Sequence, residues 1–495
     1  MENATHAFLD AAVAEGHGGR LALHTPAGDA TYAELLGLVS RAAAALRVRG
    51  VGRGDRVGLL LPDGLGWAAA FFGALRLGAV AVPLNTRLAP TALEALLADA
   101  RPRALVADGA LTAAQAEAAA RVGVPVLDGA ALQHSVAGTV APEAVGADAM
   151  ALWLYTSGTT GTPKAAVHLH RNLLAGRRYG MEVLGVSAGD RVFVTSKLFF
   201  AYALGNALLI PLLTRASACL RPEWADPQVV HAVLRAYRPT LFFAVPTLYT
   251  RLLASELPDD AFASVRACVS AGERLPADLY RGWQARFGVE ILDGIGATET
   301  IFMVLSGRPG ASRPGTTGTP VPGTEARLLD DAGRPVSPGQ QGLLWVRTPS
   351  AAAGYWERPE DTRRAFDGHW FRTGDVYYVD ADGHWVHCGR HDDLFKVAGQ
   401  WVIPAEVEAV ALRHPDVLEA GLVGAEEERG LMKPYLFVVA REAATDAPRL
   451  VSELGERMAR EVPAHARPRE VRVVAGLPRT DTGKLQRFRL RELLA

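Results

Sequence analysis

Short apolar runs alternate with longer alanine- and leucine-rich segments over about the first 300 residues of the chain. One example is the run RVGLLL (56–61), followed by the segment WAAAFFGALRLG (67–78) and the run AVAVPL (79–84). A strand, a helix and a second strand at this spacing are typical of parallel sheets with crossover helices. The same pattern returns in RALVAD (103–108), RVFVTS (191–196), TLFFAV (240–245) and VRACVSAG (265–272). The pattern therefore predicts a large α/β body.

The pattern changes in the second part of the chain. After about residue 300 the segments become β-like and are punctuated by glycine and proline, as in EARLLDDAGRPVSPGQQGLLWVRT (325–348). Near the end we expect a helix in VIPAEVEAVALRHP (402–415), strands near 418–424 and 434–440, and a terminal helix. The predicted fold class is α/β. It comprises a large N-terminal domain of stacked parallel-sheet αβ layers with a β-rich subdomain (1–390) and a small α+β C-terminal domain (391–495).

Composition narrows the choice of partner. At 495 residues the chain is too long for one ordinary core. Lys and Arg together number 52 and Asp and Glu number 53, so no overall field attracts nucleic acid or an anionic membrane. We therefore expect a small neutral or anionic metabolite as the partner, with no nucleic acid and no membrane.

Cysteine usage and hydropathy predict a cytoplasmic protein. Cys219, Cys268 and Cys388 are far apart and odd in number, which argues against a disulfide framework and suits a reducing compartment. The N-terminal stretch lacks the basic head and apolar core of a signal peptide. Arg76 and Pro83 interrupt the most apolar window (67–84), so this window predicts a buried helix and a strand rather than a membrane span.

One polar loop carries candidate chemistry. The stretch TSGTTGTPK (156–164) follows the apolar strand MALWLY (150–155) and precedes a predicted helix near 170–178. Glycines allow backbone N–H groups to turn inward, and hydroxyls add hydrogen-bond donors. A lysine can pair with the negative charge of a phosphate, so the loop suits a polyphosphate. It is not a Walker loop, because only two residues separate its glycines and Pro163 precedes the lysine. A flexible polar turn is the alternative.

Four further stretches follow in order: DGIGATET (293–300), FRTGDVYYVDADGHW (371–385), GRHDDLFKVAGQWVIPAEVE (389–408) and LPRTDTGKLQR (477–487). With these stretches the chain resembles, end to end, the adenylate-forming superfamily of acyl-CoA synthetases, carrier-protein adenylation domains and luciferases. The stretches KLFFAYALGN (197–206) and GTTGTPVPG (315–323) are most similar to those of benzoate–coenzyme A ligases and related aryl-CoA ligases.

The resemblance implies a two-step reaction. An aromatic acid, benzoate or a substituted benzoate, and ATP form an acyl adenylate and pyrophosphate, and coenzyme A then displaces AMP to give the thioester. The phosphopantetheine of an acyl carrier protein is the alternative acceptor. Two other classes remain open: a binding protein that has lost turnover, and a Walker-type ATPase that forms ADP.

The resemblance also implies the roles of the nucleotide site. Such a site must stabilise a crowded, highly charged transition state, so donors and cations have to converge on it. Glu299 would hold Mg²⁺, which takes carboxylate oxygens, and Thr298 would contact the α-phosphate as a catalytic residue. The expected ATP- and phosphate-binding residues are Thr156, Ser157, Gly158, Thr159, Thr160, Gly161, Lys164, Gly272, Glu273, Asp293, Asp375 and Arg390.

The C-terminal domain is expected to be mobile. By resemblance, Lys484 is the catalytic lysine that bridges the acid and the phosphate oxygens during adenylation. Asp392 would be the hinge about which the small domain rotates between the half-reactions. Lys396 resembles the lysine that faces the site during thioester formation. Arg87 and Lys433 are candidates for the coenzyme A phosphates.

The acid pocket is expected from aromatic and small side chains, which together form a flat slot for a ring. Its predicted residues are Phe200, Ala201, Tyr202, Gly205, Ile210, Gly294, Gly296, Phe302 and Met303. Phe302 and Ile210 depart from the benzoate-ligase pattern, which has histidine and phenylalanine at these places. The change predicts a drier pocket of different shape, so a substituted or larger aryl acid, or a non-benzoate acid, is also possible. The alternative for 198–213 is a buried helix with core aromatics.

A histidine-rich stretch offers a different interpretation. GHWVHCGRH places His384, His387, Cys388 and His391 close together in sequence, and such residues can bind zinc. The run is predicted to be a strand, however, and alternate residues of a strand face opposite sides. We therefore favour solvated and core histidines here, as for His168 and His170.

Overall fold

The protein is described by a computed structural model. The structure describes residues 3–109, 111–134, 139–156, 163–398, 400–427, 431–442, 446–479 and 485–494. The chain divides into two compact units: unit 1 contains Met1–Ala326 and Trp345–Arg372, and unit 2 contains Arg327–Leu344 and Thr373–Ala495. The boundary predicted at residue 391 stays a prediction, because a division by compactness does not locate a hinge.

The strands of the described residues are β1 (Leu21–His24), β2 (Ala30–Thr31), β3 (Arg56–Leu60), β4 (Val80–Pro83), β5 (Ala104–Ala107), β6 (Val126–Asp128), β7 (Met150–Thr156), β8 (Lys164–Leu169), β9 (Arg191–Val194), β10 (Ser217–Cys219), β11 (Leu241–Ala244), β12 (Ala267–Ser270), β13 (Ile291–Gly296), β14 (Met303–Ser306), β15 (Thr319–Pro320), β16 (Glu325–Leu329), β17 (Gly342–Arg347), β18 (Phe366–Asp367), β19 (Trp370–Val379), β20 (Trp385–Arg390), β21 (Phe395–Val397), β22 (Gln400–Val402), β23 (Val417–Glu426), β24 (Met432–Ala440) and β25 (Glu470–Val473).

The α-helices of the described residues are α1 (Tyr32–Val48), α2 (Leu65–Arg76), α3 (Pro90–Ala100), α4 (Ala113–Val122), α5 (Gly129–His134), α6 (His170–Leu174), α7 (Gly176–Arg178), α8 (Ala201–Ala203), α9 (Ile210–Leu213), α10 (Pro227–Tyr237), α11 (Pro246–Leu253), α12 (Ala277–Phe287), α13 (Pro359–Ala365), α14 (Pro404–Leu412), α15 (Ala447–Glu461) and α16 (Arg487–Glu492). Wider π-helical turns span His6–Asp10, Val13–His17, Tyr179–Val183 and Leu204–Leu209, and a 3₁₀ turn spans Ala464–Ala466.

Two large sheets organise unit 1. Sheet A has the strand order β15-β14-β13-β12-β11-β9-β10-β1-β2, and sheet B has the order β6-β5-β3-β4-β7-β8. The inner neighbours of both sheets run parallel, which confirms the predicted α/β layers. The pairs β1–β2, β13–β14, β14–β15 and β7–β8 are antiparallel. A short connection permits antiparallel pairing, whereas a parallel neighbour needs a longer crossover.

Helices α1 and α2 show how the sequence specifies the layers. Thr31 caps α1: its side chain accepts the N–H of Glu34, and the Glu34 carboxylate accepts the N–H of Thr31. The apolar helix α2 is buried along nearly its whole length, as its composition predicts. Its Arg76 side chain is 2% exposed and donates two hydrogen bonds of 2.8 Å to Asp10, which satisfies the buried charge.

Unit 2 contains the predicted α+β elements. Strand β23 pairs antiparallel with β24, and β25 joins β24 in parallel. Helix α15 contributes Leu450, Leu454 and Met458 to the core, at the four-residue spacing that places side chains on one helix face. The helix expected in 402–415 is α14.

The residues 325–390, which are not confined to unit 2, include a further sheet with the order β16-β17-β19-β18 and with β20 paired to β19. This sheet confirms the β-rich segments predicted after residue 300.

Two observations bear on the environment of the protein. Cys219, Cys268 and Cys388 are free and buried. Within the described ranges, no helix is long and apolar enough to cross a membrane.

Candidate active site

The predicted phosphate loop connects two antiparallel strands of sheet B. Thr156 is the last residue of β7 and lies opposite Lys164, the first residue of β8. The Lys164 Nζ atom lies 2.8 Å from Asp361 Oδ1 and 5.6 Å from the centre of the Tyr355 ring. The predicted loop residues Ser157, Gly158, Thr159, Thr160 and Gly161 lie outside the described residues.

The turn 297–302 connects β13 to β14 and carries the predicted catalytic threonine and metal-binding glutamate. The Thr300 hydroxyl accepts the N–H of Ala297 at 3.0 Å and donates to the carbonyl of Phe302 at 3.1 Å. Ile301 has a φ of +56°, which is unusual for a β-branched residue. Strained backbone of this kind is concentrated at functional sites, where the surroundings over-determine it.

Three hydrogen bonds from outside hold this turn. The ring Nε2 of His168 lies 2.9 Å from the carbonyl oxygen of Thr298. The N–H of Ala352 donates to the carbonyl of Glu299 at 2.8 Å, and the Tyr355 hydroxyl donates to Glu299 Oε1 at 2.6 Å. Glu299 is 9% exposed, and the Tyr355 hydroxyl holds its carboxylate in this nearly buried position. The main chain of the turn and the Glu299 carboxylate are therefore both held in place by groups of the protein itself.

The partners of the turn come from one backbone layer. Strand β8, which begins at Lys164, hydrogen-bonds with the segment 353–356: Val167 bonds to Ala353 and Gly354, and Ala165 accepts the N–H of Trp356. His168 lies on the same strand, and burial lowers its pKa from 6.5 to about 4. Its ring is neutral near pH 7, so Nε2–H can donate to the carbonyl. Strand β8 thus connects Lys164, at the end of the predicted phosphate loop, to the turn 297–302 through His168.

The remaining predicted nucleotide residues of unit 1 lie at β12 and β13: Gly272 and Glu273 follow the carboxyl end of β12, and Asp293 lies within β13 opposite Ser270. Ligands of open α/β sheets bind at such ends. Asp293 accepts the Thr317 hydroxyl at 3.3 Å, and burial raises the pKa of its carboxyl well above 3.8. Gly272 has a φ of +88°, and Glu273 accepts the hydroxyl of Thr247 at 2.8 Å. Gly272 and Glu273 thus lie just beyond a strand end, and the contacts of all three residues with ATP stay a prediction.

Phe302 fills a space that two glycines leave open. A Cβ atom built on Gly176 would lie 2.3 Å from Phe302 Cε1, and one on Gly205 would lie 3.0 Å from Phe302 Cδ1. In the same helical run, a Cβ atom on Gly180 would lie 2.6 Å from Ile210 Cγ2. Gly176 and Gly180 are four residues apart, so they face the same way. Phe302 and Ile210, the two residues that depart from the benzoate-ligase pattern, therefore both pack against the helix face that carries Gly176 and Gly180.

The other predicted pocket residues are placed as follows. The residues 201–213 form a continuous, mostly buried helical run, as the alternative interpretation also expected. Ala201 is buried, and Phe200 precedes the helix with its ring 4.2 Å from that of Phe199. The Tyr202 hydroxyl donates to the carbonyls of Ala244 and Val269, at 3.3 and 3.1 Å. The Tyr202 hydroxyl is thus occupied by hydrogen bonds to the backbone of β11 and β12.

Backbone crowding limits substitution on the β13 side. A Cβ atom on Gly294 would lie 3.1 Å from Met303 Sδ, and one on Gly296 would lie 2.6 Å from the carbonyl oxygen of Phe302. Both glycines thus permit the close approach of β13 to the residues that follow Glu299. Met303 is 3% exposed.

In unit 2 the structure brings together Asp375 and Arg390. Arg390 Nη1 lies 3.2 Å from Asp375 Oδ2 and donates to the carbonyl of Thr373 at 2.8 Å, and His387 Nε2 lies 3.2 Å from Asp375 Oδ1. Gly374 has a φ of +80°, and a Cβ atom there would lie 2.6 Å from Arg390 Nη2. Only glycine allows the guanidinium to cross the turn.

Two of the three predicted mobile-domain residues, Lys396 and Asp392, lie near Asp331. Lys396 Nζ lies 3.5 Å from Asp331 and 4.4 Å from the centre of the Trp401 ring. Asp392 Oδ1 lies 3.7 Å from His391 Nδ1. Lys484 lies outside the described residues.

The coenzyme A candidates lie in different units. The Arg87 guanidinium, in unit 1, stacks 4.1 Å from the centre of the Trp224 ring. Lys433, in unit 2, lies on β24 opposite Ala425.

The histidine-rich stretch forms β20, as predicted. His387 contacts Asp375, whereas His384 lies 3.8 Å from Asp380 and His391 lies 3.7 Å from Asp331. In the described parts of the chain, the converging His, Cys, Asp and Glu side chains are those of His414, Asp416 and Glu453. Arg449 already pairs with that Asp416 at 2.8 Å.

Four residues of this region were not predicted from the sequence: Tyr355, His168 as a partner of Thr298, Gly176 and Asp361. Tyr355 and Asp361 lie in the stretch GYWERPEDT (354–362), whose residue types do not indicate the partners that these two side chains contact. Gly176 lies inside a predicted helix, where a glycine often has a packing reason.

The fold is that of an adenylate-forming enzyme, and comparison with known proteins shows this class. A model of the AMP-binding enzyme family matches residues 10–356, and a model of the AMP-binding enzyme C-terminal domain matches residues 406–484. The chain belongs to this family.

The chain is similar to proteins that act on aromatic acids. It is 40% identical to the 3-hydroxybenzoate–CoA ligase of Aromatoleum sp. (strain CIB), over 99% of this chain and 97% of that one. A crystal structure of a benzoate CoA ligase from Burkholderia xenovorans LB400 matches with a TM-score of 0.91 at 39% identity, over 99% and 100% of the two chains. The anthranilate CoA ligase AuaEII, solved with anthranoyl-AMP, matches with a TM-score of 0.91 at 35% identity, over 99% and 97%.

Proposed function

We propose that this protein is an AMP-forming aryl-coenzyme A ligase. It converts a small aromatic carboxylic acid and ATP into an acyl adenylate and pyrophosphate, and then transfers the acyl group to coenzyme A. The observation that carries the proposal is the Thr298–Glu299 turn, held beside the strand that begins at Lys164, in a chain that is similar over its full length to aryl-CoA ligases.

The chemistry follows from the arrangement of charge. An oxygen of the acid attacks the α-phosphorus of ATP, the bond to the bridging oxygen breaks, and pyrophosphate leaves with the electron pair. Lys164, at the end of the phosphate loop, offsets charge on the leaving group, and the Thr298 hydroxyl donates to an α-phosphate oxygen. In the second step the thiol, after losing its proton, attacks the acyl carbon, and AMP leaves.

The site suits a magnesium ion held by Glu299. Mg²⁺ takes one or two carboxylates together with substrate phosphates. Within the described residues, no cationic side chain forms an ion pair with Glu299, so its charge remains for a metal. The ion would neutralise phosphate charge. Asp375 and Arg390 would hold the ribose through the carboxylate and guanidinium, and Gly272, Glu273 and Asp293 would line the nucleotide.

The acid is expected to be aromatic with an apolar edge. Phe302, Ile210 and Met303 are each at most 3% exposed and offer no hydrogen-bond donor to a ring substituent. The Tyr202 hydroxyl is occupied by backbone carbonyls. We therefore expect benzoate or an apolar-substituted benzoate to be favoured over a hydroxybenzoate.

Coenzyme A is the favoured acceptor. The 3-hydroxybenzoate–CoA ligase of Aromatoleum and the benzoate CoA ligase of Burkholderia xenovorans, which share nearly their whole length with this chain, are named CoA ligases. The carrier-protein alternative is not favoured. Catalysis by Lys484 and Lys396, hinge motion at Asp392, and phosphate contacts by Arg87 and Lys433 remain parts of the proposal, as does a cytoplasmic location.

The test is acid-dependent exchange of pyrophosphate into ATP without any thiol. The panel contains benzoate, hydroxy-, amino- and halobenzoates, cinnamate and medium-chain fatty acids, and coenzyme A is added afterwards to follow AMP release. We expect exchange with an aryl acid and AMP on addition of coenzyme A. Formation of ADP, or exchange with fatty acids alone, would contradict the proposal. A Lys484→Ala variant that binds ATP and acid but exchanges at the parent rate would contradict the assigned catalytic lysine.

A further inference from the structure

We propose that Tyr355 is a positioning residue for Glu299: its hydroxyl holds one carboxylate oxygen and thereby presents the other to the magnesium–nucleotide complex. The inference rests on the proposed adenylation function. The hydroxyl donates to Glu299 Oε1 at 2.6 Å. An O–H to carboxylate bond of this length is charge-assisted and stronger than a neutral hydrogen bond.

The phenol is itself held in place. The N–H of Tyr355 donates to the Thr362 hydroxyl at 2.9 Å, and the residue forms an antiparallel bridge with Ala166 of β8. Its ring meets that of Phe366 edge-on, with centroids 5.9 Å apart. Backbone, ring and hydroxyl are therefore all fixed, so the hydroxyl can orient a carboxylate at little entropic cost.

The location of the contact gives it a functional consequence. Tyr355 lies between Lys164, whose Nζ is 5.6 Å from the ring centre, and Glu299. In the part of the chain that the structure describes, the Tyr355 hydrogen bond reaches the Glu299 carboxylate at Oε1. Mg²⁺ demands near-ideal octahedral geometry, so a carboxylate that rotates freely would bind it more weakly. Removing such a supporting partner weakens metal binding by about 10–100-fold.

The test compares Tyr355→Phe with a matched control, Tyr155→Phe. Tyr155 also donates to a carboxylate in unit 1, at 2.6 Å to Asp99 Oδ2, but Asp99 has no part in the proposed site. Free Mn²⁺ is titrated by electron paramagnetic resonance in the presence of α,β-methylene-ATP, and the Mg²⁺ dependence of pyrophosphate exchange is measured in parallel. We expect Tyr355→Phe to weaken Mn²⁺ binding and raise the Mg²⁺ requirement by about tenfold. The control should stay within about twofold of the parent.

A double-mutant cycle distinguishes positioning from a general structural effect. If Tyr355 acts through Glu299, then Tyr355→Phe should have no further effect on Mn²⁺ binding in a Glu299→Gln background. Equal weakening in both backgrounds, or a single variant that binds Mn²⁺ like the parent, overturns the inference. If Tyr355→Phe does not fold, Glu299→Asp replaces it, since the shorter carboxylate keeps its charge but cannot reach the phenol; parent-like Mn²⁺ affinity then overturns the inference.

The two proposals fail in different ways. A parent protein without acid-dependent exchange contradicts the adenylation function itself. A parent protein with normal exchange, combined with a parent-like Tyr355→Phe variant, contradicts only the role of Tyr355.

Discussion

The substitution Gly176→Ala tests most directly the packing around Phe302, a residue of the proposed acid pocket. Gly176 is a buried helical residue, and an alanine Cβ there would lie 2.3 Å from Phe302 Cε1 and 2.6 Å from both Cδ1 and Cζ. Real Cβ atoms essentially never approach so closely, so the Phe302 ring must move. The backbone conformation alone would favour alanine, since glycine inside a helix costs about 1 kcal/mol relative to alanine.

Whether Gly176→Ala raises or lowers the free energy of unfolding depends on two opposing contributions, overpacking and helix propensity. Overpacking of a filled core costs about 1–3 kcal/mol, which exceeds or cancels the gain in helix propensity. The control is Gly37→Ala in α1, where the added Cβ would meet only the end of the Arg41 side chain, at 3.6 Å. That variant should gain about 1 kcal/mol. The two variants should thus differ by about 1–3 kcal/mol in the free energy of unfolding.

Thermal unfolding and acid selectivity measure this difference. We expect Gly176→Ala to melt about 1–4 °C below Gly37→Ala. The displaced ring should also raise the KM for the acid in pyrophosphate exchange, while the KM for ATP stays close to that of the parent. A second substitution, Phe302→Leu, should relieve the clash, so the double variant should be more stable than the sum of the single effects.

Two results would refute this reasoning. If Gly176→Ala is stabilised as much as Gly37→Ala, the ring does not occupy the space beside Gly176. If Phe302→Leu fails to restore stability to the Gly176→Ala protein, the clash is with another group.

Three further predictions concern the charged groups and the buried histidine. Asp361→Asn should release Lys164 from its 2.8 Å ion pair and lower the KM for ATP severalfold in pyrophosphate exchange; an unchanged KM would contradict a role of this pair. Gly374→Ala should raise the KM for ATP, because the φ of +80° is strained for alanine and the new Cβ would displace Arg390 Nη2 from 2.6 Å; parent-like kinetics would contradict the assigned ribose site. Burial lowers the pKa of His168 from 6.5 to about 4, so on acidification the unfolded chain takes up the proton before the folded chain does. The contribution of His168 to the free energy of unfolding is therefore complete above about pH 6.5. It falls by up to about 1.4 kcal/mol per pH unit towards pH 4. His168→Gln should therefore lose less thermal stability than the parent between pH 7 and about pH 5, and an identical loss would show that this imidazole is not the group that titrates.

The sequence predicted the parts of the site that are local in the chain. The loop 156–164 and the turn that carries Thr298 and Glu299 are recognisable, because a phosphate loop needs its glycines, hydroxyls and lysine in consecutive positions. The groups that hold the turn are not local. Tyr355 is 56 residues from Glu299 and His168 is 130 residues from Thr298, and a single sequence contains no signal for either contact.

The same distinction applies to the fold. Alternation of apolar runs and helical segments predicted the parallel interiors of sheets A and B, since each strand must be buried on both faces. It did not predict that β7–β8 and β13–β14 are antiparallel pairs, because pairing direction depends on which strand edge is free when the chain turns back.

The sequence by itself therefore determined the class of enzyme and its α/β fold class, because these depend on residue type and on spacing along the chain. Only the tertiary structure decided that Phe302 fits between Gly176 and Gly205, and that the Tyr355 hydroxyl meets Glu299. Shape complementarity and hydrogen-bond direction depend on side chains from separate segments meeting in space, and no local pattern specifies that meeting.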